Sequence, residues 1–264
     1  MERKYSIDFL KIVFTVLIIF HHYQQLVVTQ FTSFINFYGG KFYFGYLVEF
    51  FFILSGFVIV KYIEPIAKGM NFLNFWGKRY LRLISLVALA AITYSFLVFW
   101  YHKVGRAPYE WLLLPTEPDL WGTIQTALGM QAGSIFPGRQ INNPTWYISI
   151  LLLCYMVFYL IVRISHNKGI SPYYLFIGMI FLGVAIRTNG INLPLMDGSA
   201  ARGYYTFFWG VILGKIYGER NSTLREVLFG IIIFTATVMF MVQHAEGGVY
   251  GWEYLMSFIL YPAL

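Results

Sequence analysis

The chain has 264 residues, of which 58% are apolar and only 12% charged, with a formal net charge of +7. Several apolar runs are long enough to cross a hydrocarbon core of ~30 Å, and too few charged residues remain to cover a soluble core of that size. These facts exclude a soluble globular domain and predict an all-α, polytopic transmembrane helix bundle, a single domain over residues 1–264.

The first run, Ile7 to Val28, follows a basic start, Met1-Glu2-Arg3-Lys4. It is full length and has no Ala-x-Ala-like cleavage site, so it reads as a retained signal-anchor helix. Lys11 and His22 lie inside it, where hydrocarbon should exclude ionisable side chains, and that position makes them functional candidates. Eleven residues at ~100° each return a helix to within roughly 20° of its starting face and cover about 16 Å of its axis. The pair therefore shares one stripe. His21 points ~100° away and is the secondary candidate.

Further spans are predicted near 44–63, 80–101, 145–164, 172–188, 204–217 and 225–243, after a first at 6–28 and before an eighth that begins near Trp252. Tyr and Trp crowd their ends, as in Trp100-Tyr101, Trp146-Tyr147 and Tyr204-Tyr205, which fits anchoring at the membrane interface. Trp252 to Leu264 would cover only ~20 Å at ~1.5 Å per residue, so the eighth span is expected to be incomplete and the chain to be truncated at its C-terminus. Lys and Arg fall mainly in alternate connections. If the N-terminus is cytoplasmic, the inner segments hold Lys78, Arg79, Arg82, Arg163 and Lys168 among others, whereas the last outer loop, between Gln243 and Glu253, holds none. The positive-inside rule then favours a cytoplasmic N-terminus.

The longest connection, 102–144, falls on the outer side and contains a short apolar piece at 121–130 that is expected to form an interfacial or re-entrant helix. A loop of that length is suited to roofing a binding site. The lone cysteine, Cys154, sits within an apolar span and reads as a small packed hydrophobe.

Three stretches carry chemistry at span starts. Lys11-x10-His22 occupies the first span, and Phe51-Phe52-Ile-Leu-Ser55-Gly56-Phe57, preceded by Glu49, the second. Arg79-Tyr-Leu-Arg82 opens the third, with its two guanidiniums at i and i+3 on one face. Such a fork suits phosphate oxygens, although flanking charge of the positive-inside kind looks the same. Asn143-Pro-Thr-Trp146-Tyr-Ile-Ser149 leads into the fourth span, and Arg202-Gly-Tyr-Tyr-Thr-Phe-Phe-Trp-Gly210 into the sixth.

In this order the stretches resemble the signature of acyltransferase family 3, integral-membrane enzymes that O-acylate carbohydrates, and the resemblance runs from about residue 5 to the end of the chain. It implies transfer of an acyl group, most simply acetyl, from cytosolic acyl-CoA to a hydroxyl of an envelope or exported carbohydrate. The implied partners are acyl-CoA, a carbohydrate acceptor and the bilayer of the cell membrane. No bound cofactor, metal or nucleic acid is implied.

Under this resemblance His22 is the general base, since a buried imidazole tends to stay neutral and able to accept a proton. Lys11, Arg79 and Arg82 would hold the CoA phosphates, and the rise of roughly 16 Å to His22 is of the order of the pantetheine arm. Glu49 would orient His22 or Lys11, or else reach the headgroups. Ser55-Gly56 reads as a small-residue contact between helices before it reads as catalytic. Asn143, Trp146 and Arg202 fall on the acceptor side. Lys11 stands where the family more often has Arg, and Leu151 and Leu152 occupy the place where many members have a Glu after the Trp. Family members also carry a late helix with a further His. Two other classes share the pattern: a proton-coupled transporter or flippase using the Lys11/His22 stripe, and a non-catalytic membrane sensor of the same fold.

Overall fold

The computed structural model describes residues 5–26, 44–104, 119–134, 136, 143–218 and 250–263. These are almost wholly helical. Helix α1 covers Tyr5–Leu26, α2 Leu47–Ile59, α3 Ile63–Ala67, α4 Lys78–Val104, α5 Leu120–Ala127, α6 Trp146–Lys168, α7 Pro172–Asn189, α8 Gly198–Gly218 and α9 Tyr250–Leu255. A π-turn, Met256–Leu260, extends α9 towards Tyr261–Ala263. Among the described residues four helical runs are long and apolar enough to cross a membrane: Ile7–Gln24, Phe44–Ala67, Leu73–Tyr101 and Trp146–Lys168. The span expected at 225–243 lies outside the described residues.

Local signals explain several boundaries. Ser171 precedes Pro172 at the first turn of α7, and Gly190 ends that helix in the left-handed conformation at φ 61. Helix α8 begins earlier than the apolar run at Tyr204 implies, because Asp197 Oδ1 accepts the Ala200 amide at 2.8 Å and caps the first turn.

The chain divides into two compact units. The first comprises Met1–Leu47, Trp76–Leu153 and Ile191–Ala200; the second comprises Val48–Phe75, Cys154–Gly190 and Ala201–Leu264.

In the first unit, α1 exposes Phe9, Ile12, Val16, Ile19, Phe20 and Tyr23 along one stripe, and α4 likewise exposes Leu81, Leu89, Phe96 and Trp100. Apolar faces of this kind are stable against lipid. The other side of α4 receives α5. Ser95 Oγ lies 2.6 Å from Thr123 Oγ1, and Tyr80 donates to the Leu128 carbonyl at 3.2 Å, so the two helices run antiparallel. At eight residues α5 is ~12 Å long and does not span.

The second unit is built on close helix contacts. A Cβ on Gly56 would meet the Phe207 carbonyl oxygen, one on Gly210 the Ile53 oxygen, and one on Gly214 the Phe57 oxygen at 2.6 Å. From Ile53–Gly210 to Phe57–Gly214 the contacts advance four residues on each helix, so α2 and α8 are parallel, joined through a Gly-xxx-Gly seam. Helix α7 runs antiparallel to α8: Gly183 faces Tyr205 and Ala201, Phe176 stacks on Phe208 at 5.5 Å, and Lys215 lies 5.7 Å from the centre of the Tyr173 ring. Phe158 of α6 stacks on Phe176 with rings 5.4 Å apart. Cys154 is free and fully buried in α6.

Candidate functional site

Helix α1 carries the polar stripe of the first unit. Lys11 Nζ pairs with Asp8 Oδ1 at 3.1 Å, one helical turn away, and its side chain is 42% exposed. His22 is half-buried. His21 is the one buried side chain among residues 7–24, at 3% exposure, on the side of α1 away from its exposed apolar stripe. The two imidazoles meet edge to face with centroids 5.2 Å apart. Asp8 was legible from its i, i+3 spacing to Lys11, yet it drew no attention beside the rarer charge.

The start of α4 supplies the cationic end. Arg79 is half-buried and Arg82 exposed. Just ahead of them Trp76 stacks on Tyr80 at 4.6 Å while its indole N–H donates to the Leu152 carbonyl at 3.1 Å, which fixes the first turn from which both arginines project. Trp146, 8% exposed, opens α6 after the 3-10 turn Asn143–Thr145. Lys11, His21, His22, Arg79, Arg82, Asn143 and Trp146 thus belong to one unit, whereas Glu49, Ser55 and Arg202 belong to the other.

A second polar centre lies wholly within the second unit. Glu49 is fully buried and accepts from Arg202 Nε and, at 2.9 Å, from Arg202 Nη2. Arg202 Nε also lies 3.9 Å from Glu253 Oε1. Glu253 is fully buried too: its Oε2 accepts from Arg187 Nε at 3.3 Å and Nη2 at 2.9 Å, and its Oε1 accepts from the Tyr205 hydroxyl. Two carboxylates and two guanidiniums balance in charge, the condition under which ionised groups persist away from water. The structure therefore gives Glu49 the partner Arg202, and Arg202 the partner Glu49. Ser55 is half-buried beside Gly56, and the glycine makes the helix contact. Arg187, Tyr205 and Glu253 were not anticipated as part of any site. Tyr205 falls within the Arg202–Gly210 stretch, and the signal of Arg187 and Glu253 was an ionisable group at the end of an apolar run.

Residues 4–264 match the model of a family described as an acyltransferase domain, acyltransferase family 3. The chain belongs to acyltransferase family 3. No curated protein and no solved structure matches it. The protein is accordingly a membrane acyltransferase. In this acyltransferase the groups able to move a proton and those able to hold a polyanion, the α1 histidines and the α4 arginines, share a unit. The charge network of the second unit is occupied differently. Both oxygens of Glu49 and both of Glu253 already accept hydrogen bonds, an arrangement suited to holding α2, α7, α8 and α9 in register. Among the described residues no group of three or more His, Cys, Asp and Glu is arranged to hold a metal ion.

Proposed function

We propose that this acyltransferase moves an acyl group, most simply acetyl, from cytosolic acyl-CoA to a hydroxyl of an envelope or exported carbohydrate, with His22 as general base. The observation that carries the reading is the polar stripe of α1: His22 and Lys11 share a face of a largely apolar helix, in the same unit as Arg79 and Arg82. With the N-terminus cytoplasmic and about eight spans in this chain, Lys11 and the two arginines lie at the cytosolic end, where CoA is available. His22 then lies towards the outer leaflet.

The chemistry balances on these residues. The His22 imidazole takes the proton of the acceptor hydroxyl as its oxygen attacks the thioester carbonyl. The tetrahedral adduct collapses with cleavage of the carbon–sulfur bond, and the imidazolium returns its proton to the leaving CoA thiolate. No resident cofactor is needed, because the thioester supplies the activated acyl group. Arg79 and Arg82 hold phosphate oxygens, and Lys11, with its charge tempered by Asp8, is the third cation of the donor end. Asn143 and Trp146 serve the acceptor side, whereas the Arg202 guanidinium is already taken up by Glu49.

The test is incubation of the purified full chain in lipid nanodiscs with acetyl-labelled acetyl-CoA and envelope polysaccharide. Label recovered in the carbohydrate as an alkali-labile ester supports the reading. An intact thioester with no labelled ester, under conditions where acetyl-CoA binds, favours a transporter or sensor instead. Arg79→Ala and Arg82→Ala should each raise the KM for acetyl-CoA by about tenfold, with an effect that shrinks at high salt.

A further inference from the structure

The long outer connection brings a second set of polar groups into the first unit, and the side chains of interest among its described residues are amides and hydroxyls. Helix α5 starts at Asp119, whose Oδ1 accepts the Gly122 amide at 3.0 Å, and closes through Gly129 at φ +69, with the Met130 amide bonded to the Gln125 carbonyl at 2.8 Å. These caps fix the two residues between them that matter here. Thr126, fully buried, donates to Gln131 Oε1 at 2.8 Å, and Gln131 Nε2 donates to Thr145 Oγ1 at 2.6 Å. One turn further on in α6 comes Ser149, with Trp146 between the two.

Two members of this set are left over. Gln125 Nε2 and Ser149 Oγ are buried and have no hydrogen-bond partner among the described residues. Each bears a desolvation penalty that nothing returns, and such groups are rare enough in folded proteins to need a reason. An apolar residue of similar size would serve packing better at either place. The set as a whole offers amides and hydroxyls, donors and acceptors alike, with no formal charge. A ligand rich in hydroxyls would find partners of both kinds among these groups.

We propose that Gln125 and Ser149, supported by the Thr126–Gln131–Thr145 chain, bind hydroxyls of the neutral sugar acceptor and position it. This rests on the carbohydrate acyltransferase reading above and adds the groups that recognise the acceptor. The two orphans complete their hydrogen bonds when the sugar arrives. The Trp146 indole supplies an apolar face of the kind that packs on a sugar ring.

Gln125→Leu and Ser149→Ala, made in the full chain, separate this role from a packing role. Both variants remove an unpaired buried polar atom, so without ligand they should melt at or above the wild-type temperature. The KM for a neutral carbohydrate acceptor should rise by about tenfold in each, the loss of roughly one hydrogen bond, while kcat and the KM for acetyl-CoA stay near wild type. Thermal stabilisation of the detergent-solubilised protein by neutral oligosaccharides of glucose, galactose and N-acetylglucosamine supplies a readout independent of turnover. It should be present in wild type and weakened in both variants. Unchanged acceptor KM in both variants, or no stabilisation of wild type by any of these sugars, overturns the proposal and leaves the orphans to ordered water. Sugar binding that is lost in the variants of a protein unable to transfer acetyl would sustain the site and overturn the acyltransfer chemistry.

Discussion

Glu253 shows how a single charge governs stability in this chain. With both carboxylates ionised the network of Glu49, Glu253, Arg187 and Arg202 is neutral, so Glu253→Gln leaves one partly buried positive charge uncompensated. Breaking such a pair from one side costs roughly 3–5 kcal/mol, whereas removing both partners together is far milder. Thermal unfolding in detergent should therefore show a large loss for Glu253→Gln and substantial recovery in Glu253→Gln/Arg187→Gln. Equal losses would mean that the pair is not what matters. Glu49 stood out in the sequence from its place before three phenylalanines, but its partner could not be read there, because 153 residues separate it from Arg202. Arg187 and Glu253, 66 residues apart, were hidden for the same reason. Local spacing reports the i, i+3 pair Asp8–Lys11 and says nothing of pairing between distant helices.

Glycines set the register of the helices, and their neighbourhoods differ enough to predict opposite outcomes. At Gly210 any side chain would run into the backbone of α2 at Ile53, while Gly178 on α7 has open space around it. Gly210→Leu should force α2 and α8 apart and cost several kcal/mol, of the order seen for overpacked cores. Gly178→Ala should be neutral or raise stability by up to ~1 kcal/mol through helix propensity. Melting temperatures of the two variants against wild type measure both effects. Part of this level was legible: the span expected near 172–188 falls within α7, and Ser55-Gly56 was read as a helix contact. The early start of α8 was missed, because Asp197 caps it several residues before its apolar run begins. Apolarity marks where a helix is buried, and capping marks where it starts.

Across the whole molecule, composition alone identified an all-helical membrane protein, and the order of three motifs pointed to its family. The outward apolar stripes of α1 and α4 follow from that solvent. Among the described residues the polar groups divide into the α1 histidines proposed to move a proton, the α4 arginines proposed to hold the donor phosphates, and a charge network among α2, α7, α8 and α9. In the proposed mechanism His22 of α1 does the chemistry. Its most direct test is the rate of acetyl transfer by His22→Ala, with acetyl-CoA binding measured on the same preparation. Donor affinity should stay close to wild type while the rate falls by about 10²–10⁴. In wild type the rate should fall on acidification, since an imidazolium cannot accept the hydroxyl proton. Transfer by His22→Ala at the wild-type rate would contradict the assignment.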